Sequence, residues 1–257
     1  MANFKPAPNS RAARRFYDHG APPEGRRTSL AHGRGRGLRG AVLEPVRRLR
    51  DTFLDDLTGV RLLELGCGYG DELPELVRRG ARAVGIDFAF ERLRHTSPEV
   101  RDCAALTCAD CHQLPFPDDV FGFVFGDAVL AHLDRERTFA EVRRVLAGGG
   151  RLLLIEPLDR HPLLRLYRRS AVRRGDVVRY MDWPELDADH LGGGYRLEPV
   201  GFSSALLLLP AALGVDGSGF RGLARLFSRL DAWLFRRSDW VRRHAWIVAA
   251  LYRRSPR

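Results

Sequence analysis

Glu64-Leu65-Gly66-Cys67-Gly68-Tyr69-Gly70 closes the apolar run VRLLEL (Val60 to Leu65) and leads into a helical pattern from Glu72 to Arg79. Glycines in such a turn remove the β-carbon where backbone and ligand come close, and the helix N-terminus beyond offers unpaired N–H groups to an anion. A dinucleotide fingerprint, G-x-G-x-x-G, requires its third glycine at the position held here by Asp71. The spacing is instead G-x-G-x-G preceded by an acidic residue.

On either side of this loop, short apolar runs alternate with helical patterns: ARAVGI (Ala81 to Ile86) follows, and the series continues to RLLLIE (Arg151 to Glu156). Strands alternating with helices predict an α/β fold, a mostly parallel sheet with helices on both faces, whose ligands sit at the carboxyl ends of the strands. About twenty residues beyond the loop, Asp87 stands at the end of the next strand in Val84-Gly85-Ile86-Asp87-Phe88. A carboxylate there can accept from both hydroxyls of a ribose, and an ordinary strand-end or capping aspartate would occupy the same place.

Three later segments extend the series. CADCHQLPFPDDVFGFVF (Cys108 to Phe125), AVLAHL (Ala128 to Leu133) and ERTFAEVRRVLAGGGRLLLIEP (Glu136 to Pro157) follow in order. Together with the glycine loop and Asp87, the stretch Val60 to Pro157 resembles the class I S-adenosylmethionine-dependent methyltransferase family. The resemblance implies a Rossmann-like seven-stranded sheet with an antiparallel last strand, which HAWIVAALY (His244 to Tyr252) fits. It implies S-adenosylmethionine as cofactor, with Glu64, Gly66, Cys67, Gly68 and Gly70 near its methionine portion and Asp87 and Phe88 at the ribose. Asp110 and Cys111 would then read the adenine, with Gly126 and Asp127 following the fourth strand. More loosely, Glu156 to Leu163 (EPLDRHPL) resembles a segment of a bacterial subgroup.

Two positions depart from the family pattern. Gly122 stands where an aspartate is usual, and Ala147-Gly148-Gly149-Gly150 replaces Lys-Pro-Gly-Gly, a turn that loses the stiffness of its proline. Neither is expected to touch the transferred methyl group.

Methyl transfer from a sulfonium is an in-line displacement, served by holding the nucleophile close and excluding water, and a base is needed only when the acceptor arrives protonated. His132, expected to start the helix after strand four, is the candidate catalytic base, because imidazole titrates near neutrality; a histidine in that place can equally cap or pack. Asp127 is next, with Tyr17, His19 and His161 as substrate-side candidates. Cys103, Cys108 and Cys111, with His112 adjacent, have the spacing of an iron–sulfur run. The set lacks a later cysteine and overlaps the adenine turn, so the cysteines read as small apolar residues and no metal site is expected.

The 257 residues carry a formal charge of +10, with 45% hydrophobic and 29% charged residues, a balance that supports a packed core. All but one of the basic residues are arginine, spread from Arg11 to Arg257, and Lys5 is the single lysine. That scatter does not favour nucleic acid, which recruits clustered basic faces. Residues 1–39 form a Pro/Gly-rich basic arm, and 40–257 a single domain with a cofactor half at 58–157 and a substrate half at 158–257. A helix is expected from Ala41 to Leu57, another from Leu163 to Arg173, a short one over Trp183 to Leu191, and an extended segment over Tyr195 to Leu209. Phe220 to Arg237 reads as a basic amphipathic helix with Leu223, Leu226, Phe227, Leu230, Trp233 and Leu234 on its apolar side, covering the sheet or walling an apolar pocket. With the apolar run Ala205 to Val215 it also suits peripheral contact with a membrane. No signal or spanning segment occurs, and the thiols are expected reduced, which together predict a cytoplasmic protein. No pattern speaks to oligomeric state.

The expected activity is methylation of oxygen or nitrogen on an apolar small molecule. Three other readings stay open: a non-catalytic cofactor- or partner-binding module on the same fold, suggested by Gly122 and the altered glycine turn; a nucleic-acid methyltransferase, suggested by charge alone; and a nicotinamide oxidoreductase, opposed by Asp71.

Overall fold

The computed structural model describes residues 38–165, 179–207 and 218–256. Tyr17, His19, nearly all of the 1–39 arm and the apolar run beyond Leu207 lie outside them, as does the helix expected over Leu163 to Arg173 except for a turn at 162–165.

Helix α1 (Leu38–Phe53) enters three residues earlier than its apolar pattern suggests and precedes β1 (Arg61–Leu65), α2 (Leu73–Arg78), β2 (Arg82–Asp87), α3 (Phe90–Arg94), α4 (Pro98–Cys103) and β3 (Ala105–Cys108). Strand β4 (Phe121–Asp127) passes through a short 3-10 turn (Leu130–His132) into α5 (Arg135–Val145) and β5 (Leu146–Pro157). The carboxy-terminal part adds α6 (Trp183–Leu186), β6 (Gly192–Val200), a 3-10 turn (Ser203–Leu207), α7 (Ser218–Arg237), α8 (Asp239–Arg243) and β7 (Ile247–Arg254).

Among the described residues the strands form one seven-stranded sheet in the order β3-β2-β1-β4-β5-β7-β6. Strands β1 to β5 pair in parallel, and β7 runs antiparallel to both β5 and β6. The expected seven-stranded fold with an antiparallel last strand is therefore what forms. The order reverses between β1 and β4, which opens the crevice where ligands of such sheets bind.

Both faces of the sheet are covered, which is why its strands read as nearly unbroken apolar runs. Leu62, Phe123, Phe125, Leu153 and Ile155 point to the side packed by α1 and α7, while Leu63, Val124, Leu152 and Leu154 point to the side packed by α5 and α6. Each strand alternates with period two between these clusters.

The segment Tyr195 to Leu209 is extended only to Val200. Asp231 of α7 then accepts from the amides of Phe202 and Ser203, at 3.0 and 2.7 Å, and from the hydroxyls of Ser203 and Ser204, at 2.6 and 2.7 Å. With the Ser204 amide at 3.3 Å as a fifth donor, this buried carboxylate favours the tight turn over a continued strand.

The Ala147 to Gly150 turn is absorbed into β5 as an irregularity: Phe121 pairs with Leu146, but Phe123 pairs with Arg151. It lies at the amino-terminal end of the sheet, as does Gly122, whose β-carbon would meet Val60.

At the opposite, carboxyl edge, Glu156 is fully buried at the end of β5 and ties down the chain leaving β4. Its Oε1 accepts from the amides of Val129 and Leu130 at 3.0 and 2.9 Å, while Oε2 makes no hydrogen bond. Burial, reinforced by the charge of Asp127, pushes its carboxyl up to about 8. A carboxyl whose folded-state value exceeds its ordinary 4.5 stabilises the fold most below that value, and loses the contribution as pH rises through about 8. Glu156→Gln keeps the two amide bonds without the titration. The unfolding free energy of the parent protein, from urea titration, is expected to fall more steeply between pH 5 and 8 than that of the variant, by an amount on the order of a few kcal/mol; parallel pH profiles would contradict this.

Candidate active site

The glycine loop turns with three left-handed residues, Gly66, Gly68 and Gly70, at φ of 63°, 57° and 73°. Space explains only part of that choice. A β-carbon on Gly66 would lie 2.6 Å from a methyl of Val129, and one on Gly70 would lie 2.6 Å from Val100, so both vacancies are filled by packing. At Gly68 the nearest atom to such a carbon is 3.9 Å away, on Arg92, which leaves this as the glycine that faces open space. The side chain of Cys67 is buried, so only its backbone faces the loop.

Asp87 is 5% exposed at the end of β2 and braces the loop. Its Oδ2 accepts from the Gly68 amide at 2.9 Å and its Oδ1 from the Ala89 amide at 2.8 Å. Burial raises its carboxyl, against the pull of those amides and of Arg92. Each carboxylate oxygen carries a second lone pair, so both retain the capacity to accept.

Glu64, at the end of β1, is 4% exposed, and its Oε2 makes no hydrogen bond. Burial, then the charges of Glu72, Asp127, Asp71 and Asp87, drive its carboxyl well above the ordinary range. A buried pair stands beside it: Arg50 of α1 reaches Glu72 at 2.6 Å, with side chains 8% and 4% exposed. Sequence reading assigned Arg50 no role, because nothing in its own segment marks it as facing the loop across 22 residues.

Asp110 and Cys111 lie beside the loop, with the Ala109 amide bonded to the Asp87 carbonyl at 3.1 Å. Cys111 is buried, and desolvation pushes its thiol up to about 12. Asp110 Oδ1 accepts from the amide and Nδ1 of His112, at 2.9 and 2.6 Å. His112 Nε2 in turn accepts from the Asp134 amide at 2.8 Å, so the ring proton sits on Nδ1 and is given to Asp110. His112 thus orients the aspartate, and its proximity to the cysteines had pointed only to a metal run that was set aside. Among the described residues no group of three or more His, Cys, Asp or Glu could hold a metal ion. The Leu114-Pro115-Phe116 turn that follows is clamped by Arg144, which donates to the carbonyls of Leu114 and Phe116 at 2.9 and 2.7 Å.

After β4, Ala128 adopts a left-handed φ of 53°, a sparsely populated conformation for a residue with a β-carbon. It folds the chain back so that Val129 covers Gly66 and Gly126, whose β-carbon would lie 2.8 Å from Val129. Asp127 is half-buried here, and Phe88 is half-buried after β2. His132 is half-buried in the 3-10 turn, three residues before α5 begins. Burial, then the charge of Arg92, lowers its imidazole to about 4. His161 is buried, with Nε2 donating to the Phe202 carbonyl at 3.0 Å and Nδ1 accepting from the Leu164 amide at 3.3 Å, which gives both ring nitrogens a bracing role.

A family model described as a methyltransferase domain matches residues 63–154, the span from β1 to β5 that builds this edge. The chain is 35% identical over 180 residues to a malonyl acyl-carrier-protein O-methyltransferase of Halorhodospira halophila, covering 65% of this chain and 57% of that protein. It is 33% identical over 119 residues to a demethylmenaquinone methyltransferase of Thermobifida fusca, covering 42% and 50%. The chain thus spans about half the length of these curated relatives. Its fold is similar to the crystal structure of a geranyl diphosphate C-methyltransferase from Streptomyces coelicolor, with a TM-score of 0.63 and 17% identity over 97% of this chain and all of that one. The glycine loop, the strand order and the matched span agree: residues 63–154 are similar to the class I S-adenosylmethionine-dependent methyltransferase domain, on the fold of that class.

Proposed function

We propose that the chain transfers a methyl group from S-adenosylmethionine to oxygen or nitrogen of an apolar small molecule. The observation that carries this reading is the buried, unpartnered oxygen of Glu64 in a crevice also lined by Asp71, Asp87 and Asp127. Such an edge suits a ligand bearing an ammonium and a sulfonium, and it repels a pyrophosphate, which argues against a nicotinamide dinucleotide.

The residues present fit the cofactor. Glu64 would accept from the ammonium, the Gly68 stretch would pass the methionine portion, and Asp87 would take the ribose hydroxyls on its second lone pairs. Asp110, oriented by His112, and the Cys111 amide would read the adenine edge. When bound, S-adenosylmethionine supplies an electrophilic methyl carbon on sulfur. Asp127 and His132, leaving β4 at the same edge, would orient an incoming hydroxyl; burial lowers the imidazole to about 4, away from the near-neutral titration expected from sequence, so it would take the proton as a weaker base than a free histidine. Gly122 and the Gly148 to Gly150 turn lie at the far end of the sheet, so the departures that suggested a non-catalytic module do not reach this site.

Calorimetric titration tests the cofactor. Micromolar binding of S-adenosylmethionine and its demethylated product is expected, weakened at least about tenfold by Asp87→Ala, which removes hydrogen bonds to a charged acceptor; binding of NADH alone would overturn the assignment. For a phenolic acceptor, His132→Ala is expected to lower kcat by roughly 10²–10⁴. Because the imidazole stays neutral above about 4, kcat/KM of the parent should be flat from pH 6 to 7 and fall only as pH drops toward that value. A limb near 6.5 that survives His132→Ala would assign the proton to another group.

A further inference from the structure

Helix α7 carries three distinct sectors, and its rotation is fixed by the Asp231 anchor described above. With Asp231 inward, Ala224 is buried and Phe227 packs against the core under α1. The same rotation turns Leu223, Leu226, Leu230 and Trp233 outward, at 37%, 62%, 42% and 46% exposure. Their three- and four-residue spacing places them in one continuous sector, beside the buried one. Of the three places the sequence left open for these residues, over the sheet, along a pocket wall or against a membrane surface, the anchor excludes the first by turning them to solvent. Single exposed apolar side chains are ordinary, whereas four in a row on one helix, with Trp240 of α8 at 55% just beyond, form a surface.

The third sector is basic. Arg225, Arg229 and Arg236 are exposed along the other border of the apolar sector, and Arg237 lies over the Trp233 ring at 5.2 Å. At the carboxyl end of the helix, Arg236, Arg237, Arg242 and Arg243 converge on a cleft of about 410 Å³ that also meets Trp183. Its two carboxylates are partly spoken for: Asp239 lies 3.4 Å from Arg243 and Asp187 accepts from the Tyr195 hydroxyl at 3.0 Å. Four guanidiniums against two carboxylates leave the cleft positive.

An apolar sector carrying leucines and a tryptophan, bordered by arginines whose stems reach past it, matches the boundary between acyl chains and anionic headgroups. We propose that the outward sector of α7, with the arginines along its border, docks on the surface of an anionic phospholipid membrane, the arginine cleft at the end of the helix adding to the positive field. The leucines and Trp233 enter the headgroup boundary while the arginines engage lipid phosphates. No helix among the described residues is long and apolar enough to cross a membrane, so the contact is with the surface. This docking is independent of which acceptor the site methylates.

The test is cosedimentation of the full chain with vesicles of phosphatidylcholine alone and of phosphatidylcholine containing phosphatidylglycerol, at low and physiological salt. Three proteins are compared: the parent, Leu226→Ser/Trp233→Ser, and Arg225→Gln/Arg229→Gln/Arg236→Gln. All changes lie on exposed side chains, and thermal melts monitor folding. The parent is expected to bind the phosphatidylglycerol vesicles at least about tenfold better than neutral ones, with a shift of tryptophan emission to the blue. Each variant is expected to lose most of that binding while melting like the parent. Absence of binding to anionic vesicles, or binding that neither variant reduces, overturns the proposal. So does a parent that ignores vesicles but elutes as a dimer dissolved by Leu226→Ser/Trp233→Ser, which would assign the surface to a second copy of the chain.

Discussion

The site depends on carboxylates crowded where water is scarce. Glu64, Asp87, Asp127 and Glu156 stand at the carboxyl ends of four adjacent strands, because a parallel sheet with both faces covered delivers all its strand ends to one edge. Burial with neighbouring carboxylates disfavours the ionised forms of Glu64 and Glu156, and burial that of Asp87, and the fold answers in two ways. Backbone amides hold Asp87 and Glu156, and a buried arginine neutralises Glu72 alongside. Glu64 has none of these on its Oε2. What remains is a place where a cation gains from the protein and an anion does not.

That electrostatic logic also explains why the loop needs bracing from beneath. Left-handed residues at three alternate positions turn the loop, and Asp87 captures the Gly68 amide across 19 residues. The post-β4 chain is drawn over the same loop by the paired amide bonds to Glu156. Two carboxylates, from β2 and β5 on either side of the β1–β4 pair, thus set the positions of the two segments that flank the crevice.

The sheet and the glycine loop were readable in the amino-acid order because their information is local: apolar runs between turn residues, and glycines at two-residue spacing. Contacts that depend on distant segments were not. Arg50 meets Glu72 only after α1 docks, and the histidine that holds Asp110 owes its tautomer to an amide 22 residues away. Helix α7 shows the limit most clearly. Its apolar and polar positions are plain in sequence, but the sector that faces the body is decided by one aspartate meeting a serine turn, and Leu226 and Trp233 fall on the opposite side from where amphipathicity alone would put them. The same aspartate ends the strand that apolar content alone would have continued past Val200.

The two methyls of Val129 occupy the two spaces that Gly66 and Gly126 leave empty, at 2.6 and 2.8 Å from where their β-carbons would stand. These three positions, in the glycine loop, at the end of β4 and just beyond it, therefore form a single unit of inheritance. A mutation adding a side chain at either glycine meets a branched residue already in place, and trimming Val129 opens two voids at once. Drift through this region must pass by paired changes or not at all, so lineages descended from this chain should keep the trio intact while the arginine-rich exterior diverges around it.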